Sequence, residues 1–189
     1  DHPEVTGLMM GEGEATFREL CGYWIEGEPS SLETIKGIAY RCKETGKVTV
    51  NPARDVIDMS DIPFCYDRAE DFSNRIIYYE SSRGCPFSCS YCLSSVDKCL
   101  RFRDLELVKK ELQFFIDHEI PQVKFVDRTF NCNHKHAKEI WTYLMDHDKG
   151  ITNFHFEVAA DLLNEEDFFC ASRCNDGIFY VCNCFCRRF

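Results

Sequence analysis

The sequence lacks any apolar run of about 20 residues, the length that a helix needs to cross a lipid bilayer. It also lacks an excess of positive charge, because 22 lysines and arginines stand against 32 aspartates and glutamates, for a formal net charge of −10. Broad contact with the phosphate backbone of nucleic acids requires a basic surface. We therefore expect neither a membrane protein nor a nucleic-acid-binding protein.

Processing signals and simple repeats are missing as well. The chain starts at Asp1 without an initiator methionine or a secretory signal peptide. The 13 cysteines stay below the share of about 8–10% that marks small disulfide-stabilised proteins. A sequence without a disulfide framework fits a reducing compartment, where disulfides are rare. We therefore expect a cytoplasmic protein with reduced thiols. We further expect the chain to be a fragment of a longer protein.

The cysteines that are present are distributed unevenly. Cys85, Cys89 and Cys92 lie within eight residues, in the stretch SSRGCPFSCSYCLSS, directly after a predicted strand. Gly84 and Pro86 flank the first of them and suit a tightly curled loop. Five more cysteines crowd the last twenty residues, at Cys170, Cys174, Cys182, Cys184 and Cys186. The compact triplet predicts a metal site, and the cysteine-rich tail is atypical.

From residue 75 the sequence alternates between strands and helices. RIIYYE, QVKFVD and NFHFEVAA read as strands, separated by two segments with apolar residues at the helical period. Asp104 is predicted as the N-cap of the first of these helices. The apolar faces comprise Leu105, Val108, Leu112 and Phe115 in the first helix and Ala137, Ile140, Trp141 and Leu144 in the second. This order predicts an α/β fold with a parallel sheet.

Polar residues follow each of these strands. The cysteine triplet comes after the first, Asp127 ends the second, and Glu157 lies near the end of the third. In parallel sheets and barrels, reactive groups gather at the carboxyl ends of the strands. We therefore expect these groups to face one edge of the sheet. Asp127 has two simpler alternatives, capping the next helix or pairing with Arg128. Glu157 also has two, a charge at the rim of the site or a partner for Arg83.

The N-terminal part reads differently. Residues 1–27 predict a strand, a turn and a helix whose apolar face contains Phe17, Leu20, Cys21 and Trp24. Residues 28–74 predict a β-hairpin that turns at Gly46, followed by the linker PARDVIDMSDIPFCYD.

The spacing of the three cysteines allows two metal chemistries. Thiolates are soft ligands that select iron–sulfur clusters, zinc or cuprous copper. A structural zinc ion needs four ligands, and Cys99, Cys132, His134 or His136 are candidates for the fourth. A four-iron cluster held by three cysteines instead keeps one iron open to a small molecule.

The motif CPFSCSYC resembles the C-x-x-x-C-x-aromatic-C signature of the radical S-adenosylmethionine (radical SAM) superfamily. The resemblance implies that Cys85, Cys89 and Cys92 hold a [4Fe–4S] cluster whose fourth iron is chelated by SAM. It further implies reductive cleavage of SAM to methionine and a 5′-deoxyadenosyl radical. The backbone around Tyr91 would then approach the adenine. In the second barrel strand, Asp127 and Arg128 stand where the family often has Gly-Gly-Glu to hold SAM, and Glu157 would contact SAM or substrate.

The order of GEGEATFREL, NPARDVIDMSDIPFCY and YYESSRGCPFSCSYCLSS resembles that of radical SAM proteins with an N-terminal cobalamin-binding domain. By this resemblance, residues 1–27 are the end of a Rossmann-like cobalamin-binding domain and residues 28–74 are the hairpin and linker. Residues 75–167 are then the first half of a partial (β/α)6 barrel. Residues 168–189 do not resemble the later strands, and we expect a truncated, frame-shifted or disordered tail. Its cysteines have an auxiliary cluster as an alternative.

The resemblance implies a radical SAM enzyme, or a fragment of one, from an anaerobic or microaerobic host. Methyl transfer becomes available where cobalamin is bound. The expected partners are a small-molecule or peptide substrate and an electron donor such as flavodoxin or ferredoxin. The alternatives are a non-enzymatic zinc-binding module and a catalytically inert fragment.

Overall fold

The computed structural model describes residues 2, 4–27, 31–66, 68, 72, 75–93, 99–165, 167 and 180–181. The chain divides into two compact units, residues 1–58 and residues 59–189. No helix within the described ranges is both long enough and apolar enough to cross a bilayer.

The first unit is an antiparallel sheet with one helix. Its elements are β1 (Gly7–Met9), α1 (Glu14–Ile25), β2 (Ile38–Arg41) and β3 (Val48–Val50), and the strand order is β1-β2-β3. The hairpin predicted between the last two strands is confirmed, with Gly46 at φ +69° in its turn. Because β1 pairs with β2, the helix and the hairpin belong to one compact unit. The domain boundaries at residues 27 and 74 stay predictions.

The predicted apolar face of α1 is wrong. Leu20 is buried, but Phe17 and Trp24 are 55% and 67% exposed. The fully buried residue of this helix is instead Thr16, whose hydroxyl donates to the carbonyl of Lys36 and accepts from the guanidinium of Arg54. These polar contacts orient the helix, so the larger apolar residues lie on its exposed side.

The second unit contains the predicted alternation of strands and helices. In chain order it comprises β4 (Ile77–Tyr79), β5 (Ser82–Arg83), β6 (Arg101–Phe102), α2 (Leu105–Asp117), β7 (Gln122–Phe125), α3 (His134–His147), β8 (Asn153–His155), β9 (Glu157–Val158) and β10 (Tyr180–Val181). Strands β4, β7 and β8 form a parallel sheet in that order, and α2 and α3 make the crossovers. The expectation of an α/β fold with a parallel sheet is confirmed here.

The helices form where the apolar period predicted them. Asp104 caps α2 by accepting hydrogen bonds from the backbone N–H groups of Glu106 and Leu107, as predicted. On α2, three of the four predicted core residues are fully buried, and Leu105 packs partly buried against them. All four predicted on α3 are fully buried. They pack with alternate residues of the strands, including Ile77, Val123 and Phe154, to form the core.

The third predicted strand, NFHFEVAA, is two strands in the structure. β8 pairs with β7, whereas β9 pairs in parallel with β10. The buried Phe156 lies between β8 and β9. β10 belongs to the tail predicted for residues 168–189. The rest of that segment, including all five of its cysteines, lies outside the described residues.

The predicted linker also makes packed contacts. Met59 is buried, and Phe64 and Tyr66 pack against Phe115 of α2 with ring centroids 5.5 and 5.7 Å apart. This part of the chain therefore covers one side of the second unit.

A buried ion pair joins three elements of the second unit. The guanidinium of Arg103 binds both carboxylate oxygens of Glu111, at 2.5 and 2.9 Å, and also donates to the carbonyl of Met59. The hydroxyl of Tyr79 donates to Glu111 at 2.6 Å. Burial raises the pKa of Tyr79, and the negative charge of Glu111 raises it further. Removing one member of such a pair leaves an uncompensated buried charge.

We expect Arg103→Met to lower the free energy of unfolding of the second unit by about 3–5 kcal/mol, because Glu111 loses its counter-ion. Lys109→Met, which breaks more exposed ion pairs with Glu106 and Glu139, should lower it by at most about 1 kcal/mol. Denaturant unfolding followed by tryptophan fluorescence measures both, in a Trp24→Phe background that leaves the buried Trp141 as the one tryptophan of the sequence. A loss for Arg103→Met no larger than that for Lys109→Met would contradict this expectation.

Candidate functional site

The cysteine loop begins at the carboxyl edge of the parallel sheet, where Asp127 holds it. Asp127 is fully buried at the end of β7. It accepts hydrogen bonds from the backbone N–H of Ser81 at 2.9 Å, from the hydroxyl of Ser81 at 2.7 Å and from the hydroxyl of Ser82 at 2.5 Å. Burial raises the pKa of Asp127 to about 6, although these donors oppose the shift. The carboxyl group thus ties the end of one strand to the first residues after another.

His136 completes this buried cluster. Its Nε2 lies 3.2 Å from the Ser81 hydroxyl oxygen. Because the single hydroxyl proton of Ser81 is given to Asp127, the Nε2–H of His136 must be the donor in this contact. Burial lowers the pKa of His136 to about 4, which keeps the ring neutral near pH 7. The helix α3 is therefore linked to the same point as β4 and β7.

The two ends of the cysteine loop lie side by side. β5 pairs with β6, and the backbone N–H of Arg103 donates to the carbonyl of Ser81 at 2.9 Å. Gly84 has φ +98°, and a Cβ at this position would lie 2.6 Å from the carbonyl oxygen of Cys99. Only glycine fits this contact. The base of the loop is thereby closed by backbone pairing.

The three cysteines of the triplet differ in burial. Cys85 is buried and its sulfur lies 3.9 Å from the hydroxyl oxygen of Thr129, whereas Cys89 and Cys92 are half-buried. The backbone N–H of Cys92 donates to the carbonyl of Cys89 at 3.2 Å, which makes a tight turn. None of the three forms a disulfide. The arrangement presents three thiols on one curled loop.

Within the described ranges, no three side chains of His, Cys, Asp or Glu lie close enough together to hold one metal ion. Cys99 is exposed, and His134 binds the carboxylate of Asp167 through Nδ1 at 2.5 Å. Cys132 is half-buried, and its pKa is raised to about 11 by burial and by the negative charges of Asp127 and Cys85. A zinc ion needs all of its ligands around a single point. The cysteines of an iron–sulfur cluster can lie further apart, because each of them binds a separate iron.

The structure places the other predicted cofactor residues at separate points. Tyr91 is 77% exposed in the turn of the loop, and Arg128 is exposed directly after Asp127. Glu157 pairs with Lys124 at 3.3 Å, and Arg83 pairs with Glu80, so these two ion pairs replace the alternative of a Glu157–Arg83 pair. The cofactor roles of Tyr91, Asp127, Arg128 and Glu157 stay predictions.

Two further residues hold the edge of the sheet and were not predicted from the sequence. Thr129 contacts Cys85, and the fully buried Asn131 exchanges two hydrogen bonds with the backbone of Ala159, at 2.8 and 2.9 Å. Asn131 thus joins the segment after β7 to the residue after β9. The sequence could have indicated both residues, since they lie two and four positions after Asp127, which was already predicted to end a strand at this edge.

Comparison with known proteins gives three relatives named as methyltransferases and one, from Rubrivivax gelatinosus, named as an anaerobic magnesium-protoporphyrin IX monomethyl ester cyclase. No protein-family profile matches the chain. An uncharacterised methyltransferase of Pyrococcus horikoshii is 35% identical over 150 residues, covering 73% of this chain and 31% of that protein. The cobalamin-dependent radical SAM methyltransferase TokK of Streptomyces tokunonensis is 26% identical over 144 residues, covering 68% of this chain and 20% of that protein.

Solved structures agree in fold. The radical S-adenosylmethionine methyltransferase TsrM of Kitasatospora setae superposes on 91% of this chain, with a TM-score of 0.67 at 17% sequence identity, and the match covers 36% of TsrM. The chain belongs to the radical SAM/cobalamin superfamily. It has the α/β fold with mixed sheets seen in those enzymes. This radical SAM chain spans between 20% and 36% of the lengths of the three proteins.

We expect Gly84→Ala to open the base of the cysteine loop, because its Cβ would collide with the carbonyl of Cys99. Gly46→Ala is the matched control, since Gly46 also has positive φ but no atom within 4 Å of the added Cβ. Both variants carry the cost of a left-handed backbone, about 1–2 kcal/mol. Hydrogen exchange followed by mass spectrometry should show exchange at β5 and β6 faster by about tenfold or more for Gly84→Ala only. Unchanged exchange at these strands would contradict the closed base.

The raised pKa of Asp127 predicts a pH dependence of stability. Between about pH 4 and pH 6 the folded chain binds this proton more tightly than the unfolded chain, so the contribution of Asp127 to stability is lost as the pH rises through about 6. Asp127→Asn removes this dependence. The free energy of unfolding of the wild type, minus that of the variant, should therefore fall between about pH 4 and pH 7.

Denaturant titrations of both proteins across this range measure the difference. The lowered pKa of His136 makes stability rise with pH, opposite to the effect of Asp127. Because both proteins contain His136, its contribution cancels in the difference between them. A difference that rises with pH would show that the hydrogen bonds from Ser81 and Ser82 outweigh the effect of burial on Asp127.

Proposed function

We propose that this chain is the cluster-binding part of a radical SAM enzyme and that Cys85, Cys89 and Cys92 hold a [4Fe–4S] cluster. The observation that carries this proposal is the loop itself. It presents three thiols outside any disulfide at the carboxyl edge of a parallel sheet, and its base is fixed by β5, β6 and Gly84. Three thiolates on a short loop match the ligand set of a cluster that keeps one iron open. The relatives named above support the same assignment.

A [4Fe–4S] cluster held by these three cysteines would supply the electron for reductive cleavage of SAM to methionine and a 5′-deoxyadenosyl radical. The chain's own residues orient and shield the site. Asp127, Ser81 and Ser82 fix the start of the loop, and the burial of Cys85 removes its sulfur from water. We assign Asp127 this anchoring role because both of its carboxylate oxygens accept hydrogen bonds from Ser81 or Ser82. The backbone at Tyr91 and the side chains of Arg128 and Glu157 are the proposed SAM contacts.

For the whole protein we propose cobalamin-dependent methyl transfer to a small molecule or a peptide, in the cytoplasm. The support is that TokK is named as a cobalamin-dependent methyltransferase and that TsrM has been solved with cobalamin and a [4Fe–4S] cluster. In this proposal residues 75–167 form the first half of a partial (β/α)6 barrel. The first unit contains the end of a Rossmann-like cobalamin-binding domain. A low-potential one-electron donor of the flavodoxin or ferredoxin class supplies the electron.

Anaerobic reconstitution of the 189-residue chain with iron and sulfide tests the cluster. We expect about four irons per chain and an electron paramagnetic resonance signal of the reduced cluster that changes on adding SAM. Cys85→Ser, Cys89→Ser and Cys92→Ser should each lose most of the bound iron, because each removes one of three ligands. Cys65→Ser, at an exposed cysteine outside the loop, is the matched control and should load fully.

One zinc per chain without iron would instead support a zinc-binding module and overturn the proposal. Catalysis is read separately, by incubating the loaded chain with SAM and dithionite. We expect 5′-deoxyadenosine or, where cobalamin and a methyl acceptor are added, S-adenosylhomocysteine. A loaded chain that forms neither product would be a catalytically inert fragment of such an enzyme.

A further inference from the structure

Thr129 places a hydroxyl group beside one cysteine of the triplet. Its Oγ1 lies 3.9 Å from the sulfur of Cys85, and both residues are buried, at 5% and 8% exposure. The same oxygen lies 2.9 Å from the backbone carbonyl of Arg128. Thr129 therefore has two neighbours that can accept its single proton.

The chemical state of Cys85 decides which neighbour accepts that proton. As a thiol, Cys85 can donate S–H to Thr129, which then donates O–H to the carbonyl of Arg128. A cysteine that ligates iron is a thiolate and has no proton to donate. The contact can then persist only if the Thr129 hydroxyl turns and donates to the sulfur. The carbonyl of Arg128 then loses the hydrogen bond from Thr129.

Neighbouring contacts hold Thr129 in place. Asp127, two residues earlier, is fixed by Ser81 and Ser82, and Asn131, two residues later, is fixed by two hydrogen bonds to Ala159. Asp127 and Asn131 are both fully buried. The hydroxyl group is therefore preorganised at its distance from the sulfur, and the low dielectric of the interior strengthens a hydrogen bond there.

We propose that Thr129 is a positioning residue that donates a hydrogen bond to the Cys85 thiolate and thereby raises the reduction potential of the cluster. The proposal rests on the proposed function, because it requires Cys85 to be a cluster ligand. Reduction adds negative charge to the cluster and its sulfurs, and a hydroxyl dipole directed at sulfur stabilises the reduced state more than the oxidised state. Hydrogen bonds to the sulfurs are among the factors that set these potentials. Cys85 is the buried sulfur of the three, so this donor acts where water is least available.

Redox titration of the reconstituted chain, followed by electron paramagnetic resonance, tests the proposal. Thr129→Val keeps the shape of the side chain and removes the donor, so the cluster should become harder to reduce. We expect about a tenfold shift in the equilibrium constant for one-electron reduction, which is about 59 mV. Thr129→Ser keeps the hydroxyl and should retain a potential close to that of the wild type.

The iron content and the reduction potential of the cluster together distinguish a failure of the role of Thr129 from a failure of the proposed cluster site. A wild-type chain that takes up no cluster overturns both proposals. A wild type and a Thr129→Val variant that both load about four irons and share one potential overturn only the role of Thr129. If Thr129→Val does not load, Thr129→Ala and Thr129→Ser form the deciding pair, and equal potentials for these two overturn the proposal.

Discussion

A buried carboxyl group at the end of β7 is the interaction on which the rest of the site depends. Asp127 receives three hydrogen bonds from Ser81 and Ser82, residues that come 45 to 46 positions earlier in the chain. Burying a carboxylate is unfavourable unless hydrogen bonds replace its water. The geometry of these donors is consequently restrained, and with it the direction in which the chain leaves β4 towards Cys85.

Two buried polar groups support this edge from either side. The ion pair of Arg103 and Glu111 fixes the chain where it returns from the loop, and it is joined to β4 through Tyr79. Asn131 fixes the segment after β7 to the backbone after β9. Since such groups are stable only when their hydrogen bonds are satisfied together, they specify one arrangement of the strand ends. The apolar core beneath them could tolerate more variation.

Local patterns in the sequence predicted much of the second unit. The apolar period identified both crossover helices and their buried faces, and Asp104 marked the start of α2, because these features depend on residues within one or two turns. The compact cysteine motif likewise identified the loop. The pairing of β5 with β6 was not predicted, since each strand has two residues and the partners lie 18 to 20 positions apart. The anchoring contacts of Asp127 join residues that are still further apart in sequence, at 45 to 46 positions. For α1, apolar spacing predicted the wrong face because the hydrogen bonds of Thr16 orient the helix.

The closed base of the cysteine loop bears on how the protein matures. Zinc fingers and similar small domains are unfolded until their metal binds, so the binding energy of the metal is also their folding energy. Here the backbone pairing of β5 with β6 and the close approach of Gly84 to Cys99 are made by protein atoms alone. Because these contacts need no metal, the base of the loop can form before a cluster binds.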